Sequence, residues 1–370
     1  MYCSLIRPLL FKCDPEWVHD QTIRLSEICG NFPPATGILS ACCEYSDDRL
    51  TSEVCGIRFK NPLGLAAGYD KSGKAIRMMA SMGFGHVEIG SVSAFPSDGN
   101  PRPRLWRLPA DQAICVHYGL PNDGAEIVSR RLSGRRWVVP LGVNIVKTNR
   151  GIQAPQDSAD TIYEDYVLSA KLLRDSGDYL SLNLSCPNTE TGCNFFAPRE
   201  NLVELLTRLK ELNLTRPIFL KVSPVGGVSA IEDILQASEA FPFVSGFIFN
   251  LPPGKPANLS TPCSVWEKWP GAVAGVPVRE MINECVRELY RRMDRKRYRI
   301  LAAGGIFSAD DAYEKIRLGA SLVQLMTGLI YEGPFLLKRI NKGLCRLLER
   351  DGLNNISAAV GTGNDCRGAH

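Results

Sequence analysis

The chain alternates short apolar runs with stretches of helical periodicity. At the amino end Tyr2, Leu5, Ile6, Leu9 and Leu10 recur at helical spacing, with Arg7 and Lys12 beside them. Asp14-Pro15-Glu16 then supplies a cap, a proline at the first helical position and an acidic first turn. The pattern predicts a helical hairpin whose second helix runs to about Cys29. A loop-rich connector follows over 31–48, marked by Pro33-Pro34 and Gly37. Beyond it lie eight apolar, β-rich runs: Leu63–Ala67, His86–Gly90, Trp137–Val143, Tyr179–Asn183, Ile218–Val222, Gly246–Asn250, Arg299–Ala303 and Leu322–Met326. Near-continuous hydrophobic runs mark parallel strands buried on both faces, and helical patterns such as Glu200–Leu212 and Ala309–Leu318 separate several of them. Eight such units predict an α/β fold, a closed (β/α)8 TIM barrel rather than an open doubly wound sheet. The organisation expected is a hairpin and connector over 1–45 and a barrel over 46–370.

Polar residues and glycines gather just after the carboxyl ends of these runs. Ala66-Ala67-Gly68 and Lys71 follow the first, Ser91 the second, Asn144 the third, and Ser185-Cys186-Pro187-Asn188 the fourth. Asn250 ends the sixth, Gly304-Gly305 follows the seventh, and Met326-Thr327-Gly328 closes the eighth. Barrel active sites are built on that face, so the pattern is one site and not a scatter of loops.

Composition narrows the function classes. A net charge of +4 over 370 residues, with Lys and Arg scattered, gives no basic stripe for nucleic acid. The thirteen cysteines are odd in number, carry no zinc-knuckle spacing and follow no signal peptide, which argues against both a metal site and a disulfide framework. A reducing, cytoplasmic setting is expected. No apolar run reaches the roughly 18 residues of a membrane span. An amphipathic hairpin over 2–30 can instead lie on a membrane surface, here the inner face of the cell membrane, or simply pack on the barrel.

Glycines after the last two strands let backbone N–H groups approach a phosphate. Lys71 and Lys221 stand at strand ends, and a lysine beside a flavin stabilises negative charge on the reduced ring. Asparagine is depleted in strands, yet Asn144, Asn183, Asn188 and Asn250 end or closely follow them. Each amide offers donors and an acceptor, so four at one barrel mouth suit an amide- or imide-bearing ligand such as an isoalloxazine or a pyrimidine. Cys186 sits among them, and a thiol that titrates near ~8.5 acts as a general base where its surroundings favour the thiolate. No histidine is evidently paired with it, which disfavours a Cys-His hydrolase. His117 is the one histidine in a plausible active-site loop.

These residues resemble the dihydroorotate dehydrogenase family over nearly the whole chain. The resemblance rests on Asn61-Pro62-Leu63-Gly64-Leu65-Ala66-Ala67-Gly68-Tyr69-Asp70-Lys71, on Gly99-Asn100-Pro101-Arg102-Pro103-Arg104-Leu105-Trp106-Arg107-Leu108-Pro109, and on Asn183–Thr189 and Leu322–Thr327. The amino-terminal segment from Ile6-Arg7-Pro8-Leu9-Leu10-Phe11 to Asp14-Pro15-Glu16 is similar to the membrane-associated, quinone-using class, where a helical hairpin forms a tunnel to the flavin. The resemblance implies an FMN cradle of Ala66, Ala67, Gly68, Ser91, Asn144, Asn183, Lys221, Gly275, Gly304, Gly305, Met326 and Thr327. It implies substrate contacts from Lys71, Val116, His117, Gly119, Leu120, Asn183, Asn188, Asn250 and Leu251. It also implies a base, Cys186, that removes a proton from one carbon while hydride leaves its neighbour for the flavin.

Three positions depart from that pattern. Cys186 stands where the quinone-linked class carries serine, and with Gly119-Leu120-Pro121-Asn122 it is similar to the soluble class. Val116 replaces an asparagine, and Leu251 replaces the hydroxyl residue that follows the strand-six asparagine. Each loss leaves a substrate group unpaired at about 1–3 kcal/mol. Dihydroorotate is the default substrate. The alternative is a paralogue acting on a more apolar molecule in a specialised biosynthetic pathway. A non-catalytic FMN-binding protein is a third reading, against which Cys186 weighs.

Overall fold

The computed structural model of the chain describes residues 2–151, 153–186 and 194–364. All eight predicted runs become strands of one closed, parallel barrel. Thirteen strands are present in total among the described residues: β1 (Ser52–Val54), β2 (Ile57–Phe59), β3 (Leu63–Leu65), β4 (His86–Val92), β5 (Leu105–Leu108), β6 (Ala113–Val116), β7 (Leu141–Ile145), β8 (Tyr179–Asn183), β9 (Ile218–Val222), β10 (Val244–Phe249), β11 (Ala272–Gly275), β12 (Arg299–Ala303) and β13 (Leu322–Leu325). The barrel runs β3-β4-β7-β8-β9-β10-β12-β13 and closes back onto β3. Every residue of β3, β4, β7, β8 and β9 is buried, as expected for strands covered by side chains inside and helices outside.

The helices that return the chain between strands bury their apolar stripes on the barrel. Arg199–Lys210, for example, buries Leu202, Leu205, Leu206 and Leu209, spaced by three and four. Ala309–Arg317 begins on a capping box between Ser308 and Asp311.

The amino end of the barrel is plugged. The β1–β2 hairpin packs Val54 and Phe59 against Tyr179, Phe219, Ile248, Leu301 and Leu322. His86 lies in this floor with neither ring nitrogen hydrogen-bonded, and burial pushes its imidazole down to about 3. Gly64 makes the room, since a Cβ there would stand 2.0 Å from His86 Nε2. Over the opposite end lies an antiparallel sheet of β5, β6 and β11, in which Val116 is registered with both Leu105 and Ala272.

The amino-terminal segment is helical as predicted, and contains more helix than predicted. Tyr2–Ile6 winds as a wide helix into Arg7–Leu10 (α1), and α2 spans Pro15–Gly30 with Asp14 Oδ1 capping the Trp17 amide at 2.8 Å. The expected loop over 31–48 is a third helix, α3 (Pro33–Cys43). Pro33-Pro34 occupy its first turn, where a missing N–H removes no helical hydrogen bond, so the same residues that read as a loop start a helix. The segment packs on the carboxyl end of the barrel. Tyr2 donates to Ile330 O at 2.7 Å, Arg107 to Cys13 O at 2.8 Å, and Arg104 pairs with the buried Glu16 at 2.8 Å.

Candidate active site

A cavity of about 380 Å³ opens between the barrel mouth and the amino-terminal helices. Its deep end is built from strand termini. Asn183 ends β8, Cys186 follows three residues later and is buried, Lys221 projects from β9, and Asn250 follows β10. The other end is built from the helices: Tyr2, Leu10, Pro15, Val18, His19 and Thr22 line it. The last four fall at helical spacing on one face of α2, so a single helix stripe forms that wall.

The amides at the deep end form a directed chain. Asn250 Nδ2 donates to Asn183 Oδ1 at 2.7 Å and to Ser185 O at 3.1 Å, and Asn250 Oδ1 accepts from the Leu251 amide at 2.9 Å. Asn183 Nδ2 donates to Ser91 Oγ at 3.0 Å, and Ser91 donates to Asn144 Oδ1. Buried polar groups demand such partners, and here they are mutually supplied.

Both lysines face the cavity. Burial lowers the Lys221 ammonium, while charge at Glu88 and then at Cys186 opposes that shift. Among the described residues Lys221 Nζ has no hydrogen-bond partner. Lys71 Nζ donates to His19 Nε2 at 2.9 Å and stands 4.1 Å from the centre of the Tyr118 ring. Burial pulls Lys71 down to about 8 and holds His19 well below its usual value, with the Lys71 charge adding to the latter.

Of the residues expected to hold the cofactor, Ala66, Ala67, Gly68, Ser91, Asn183, Lys221, Gly275, Gly304, Gly305, Met326 and Thr327 line the cavity. Asn144 does not. It is fully buried one hydrogen bond behind the wall, with Nδ2 on Ser181 Oγ at 2.6 Å and on Glu88 Oε1 at 3.2 Å. Of those expected at the substrate, Lys71, Val116, Leu120, Asn183, Asn250 and Leu251 line it, and so does Cys186. His117 and Gly119 do not: the His117 ring faces Asn100 Nδ2 at 3.0 Å, and Gly119 O accepts from Asn149 at 2.7 Å. Asn188 lies outside the described residues. Among the described residues the histidine that lines the cavity is His19, which the sequence pattern assigns only to the hairpin. Its signal was the stripe Pro15, Val18, His19, Thr22, legible only with the knowledge that α2 covers the barrel mouth.

The wall fits a flavin nucleotide on three observations. Among the described residues Lys221 Nζ has no hydrogen-bond partner, Gln324 Oε1 is buried with no donor, and a Cβ at Gly68 would meet no protein atom within 4 Å, leaving open space against the backbone. Gly304 and Gly305 add backbone to a second stretch of wall, where an anion can approach N–H groups.

Comparison with known proteins agrees with this geometry. Residues 49–348 match the family model for dihydroorotate dehydrogenase. The dihydroorotate dehydrogenase (quinone) of Natronomonas pharaonis is 39% identical over 97% of this chain and 98% of its own, and that of a Nostoc species 37% identical over 98% of each. The ligand-free DHODH structure from Eimeria tenella superposes with a TM-score of 0.82 at 28% identity, covering 94% of this chain and 99% of that one. A ferulenol complex of DHODH from Eimeria tenella gives 0.80 at 28% identity, covering 95% and 96%. A match of this extent, on a barrel with this mouth, places the chain in the dihydroorotate dehydrogenase family.

Proposed function

We propose that the protein oxidises dihydroorotate with FMN as its cofactor and Cys186 as the catalytic base, and passes the electrons to a quinone. The observation that carries the reading is the continuity of one cavity from Cys186, Asn183, Asn250 and Lys221 to Tyr2, Leu10 and Val18 of the amino-terminal helices. A water-soluble substrate is served by the polar end and an apolar acceptor by the other. Bound FMN would supply the chemistry that links them, taking up hydride from the substrate and giving two electrons to the acceptor.

The chain's own groups set up the substrate step. The Cys186 thiolate accepts a proton from one carbon as hydride leaves its neighbour, and the electron pair of the broken C–H bond becomes the new C=C bond. The Lys221 ammonium lines the cavity, where it would balance negative charge on a bound, reduced flavin. Asn183 and Asn250 hold a pyrimidine edge by their remaining donor and acceptor positions, and Lys71 balances a carboxylate. Gln324, Gly68, Gly304 and Gly305 would hold the cofactor.

The protein lies on a membrane surface through residues 2–30. Eight of the sixteen large exposed apolar side chains among the described residues fall in the amino-terminal helices and their linkers: Leu5, Ile6, Leu9, Trp17, Leu25, Ile28, Phe32 and Ile38. No helix among the described residues is long and apolar enough to cross a membrane.

A second substrate reading is favoured by Val116 and Leu251, whose apolar side chains line the cavity beside the amides. A molecule less polar than dihydroorotate would leave fewer groups unpaired there. The two readings separate on one titration of the purified flavoprotein. Bleaching of the flavin by micromolar dihydroorotate supports the first, and an oxidised flavin at millimolar concentrations sinks it.

A further inference from the structure

Beneath the cavity, inside the barrel, lies Glu88 of β4, fully buried and absent from the cavity wall. Among the described residues its carboxylate receives four donors: Ser181 Oγ at 2.9 Å and Asn144 Nδ2 at 3.2 Å on Oε1, Tyr179 OH at 3.0 Å and Gln324 Nε2 at 2.8 Å on Oε2. Four donors are the complement a carboxylate demands, because it can only accept.

That constraint propagates. Asn144 must turn Nδ2 toward Glu88 and Ser181, so its Oδ1 faces Ser91. Ser91 therefore donates to Asn144, and its oxygen is left to accept from Asn183 Nδ2 at 3.0 Å. Asn183 then shows Oδ1 to Asn250, whose two N–H groups are committed to Asn183 and to Ser185. What remains for a ligand is one N–H and one lone pair on Asn183, and one lone pair on Asn250. We infer that Glu88 is a positioning residue for the flavin and substrate site: its carboxylate roots the chain Asn144–Ser91–Asn183–Asn250 and so decides which atoms Ser91, Asn183 and Asn250 turn toward the cavity. The inference rests on the flavin reading above.

An amide in place of Glu88 keeps the volume but can offer either end to Asn144. One end preserves the chain and the other reverses it, pitting the reversed amides against the Ser185 carbonyl and the Leu251 N–H at the far end. A neutral root therefore leaves two competing arrangements where the carboxylate permits one.

The test uses the full-length flavoprotein and reads two properties other than turnover, FMN release on dilution followed by flavin fluorescence and the visible spectrum of the bound flavin. Glu88→Gln should weaken FMN retention about tenfold or more, the worth of one charge-assisted hydrogen bond, and shift the flavin bands. Ser91→Ala, which cuts the chain above an intact Glu88, should reproduce that shift and stands in if Glu88→Gln does not fold. Tyr179→Phe, which removes a donor from the other carboxylate oxygen and leaves the chain whole, should match the wild type in both properties. Wild-type retention and spectrum in both Glu88→Gln and Ser91→Ala would overturn the inference, and so would Tyr179→Phe behaving like Glu88→Gln. A wild-type protein that holds no FMN would instead sink the flavin reading beneath it.

Discussion

The two ends of the cavity are made by different physics. At the deep end, polar side chains from β4, β7, β8 and β10 are buried and satisfy one another, so each position is fixed by its neighbours' hydrogen bonds. At the other end, Leu10 of α1 and the Pro15, Val18, His19, Thr22 stripe of α2 supply a mostly apolar wall, held to the barrel by contacts such as Arg7 to Tyr331 O and Glu16 to Arg104. On the proposed function, the groups that meet a reacting atom sit where neighbouring hydrogen bonds over-determine them, and the groups that admit an apolar acceptor sit on the amino-terminal helices. Lys71 and His19 join the two ends at 2.9 Å.

The largest effect should come from the deep end alone. Cys186→Ala should slow flavin reduction by substrate by about 10²–10⁴-fold, the usual worth of a general base, while reoxidation by quinone is unchanged. Rapid-mixing of each half-reaction checks this, and equal losses in both would erase the distinction between the ends. Deletion of residues 2–30 should do the reverse. Quinone reoxidation should fall roughly tenfold or more through lost positioning, with flavin reduction nearly intact and the protein released from vesicles in a flotation assay.

The joint between the ends should respond to pH. Lys71 in the folded protein titrates at about 8, below its unfolded value, so the protonated form that pairs with a carboxylate is complete only below that pH. Substrate affinity should therefore be flat up to neutrality and fall about tenfold per unit above pH 8, and Lys71→Met should remove the slope. The smallest change expected is a gain. Leu251→Ser should tighten a pyrimidine ligand by about fivefold, one recovered hydrogen bond, if dihydroorotate is the substrate. Weaker binding in that variant would favour the apolar alternative.

The barrel was legible because buried parallel strands leave long apolar runs, and three of the eight, Tyr179–Asn183, Ile218–Val222 and Arg299–Ala303, have the bounds their patterns predicted. The third run slipped. It was expected over Trp137–Val143 but forms over Leu141–Ile145, because Pro140 has no N–H for the ladder and contributes only its carbonyl, to Val87. The β5–β6–β11 sheet went unread because its strands are only four residues long, too short for their apolar runs to stand out from the loops around them. At the site, the strand-end amides announced themselves by being polar where strands are apolar. Glu88 did not, since one carboxylate inside the run His86–Gly90 reveals its role only when Ser181, Tyr179 and Gln324 are brought to it from distant strands. Asn144 was found by type and misplaced by one layer, because sequence gives the residue at the barrel mouth but not the depth of its side chain.

On the proposed function, one cavity joins a dihydroorotate end to a quinone end through bound FMN. Anaerobic titration of the purified flavoprotein with dihydroorotate, followed by addition of a short-chain quinone, tests it most directly. Micromolar dihydroorotate should bleach the flavin with release of orotate, and the quinone should restore the oxidised spectrum. A flavin that stays oxidised in millimolar dihydroorotate, or that stays reduced when quinone is added, would contradict it.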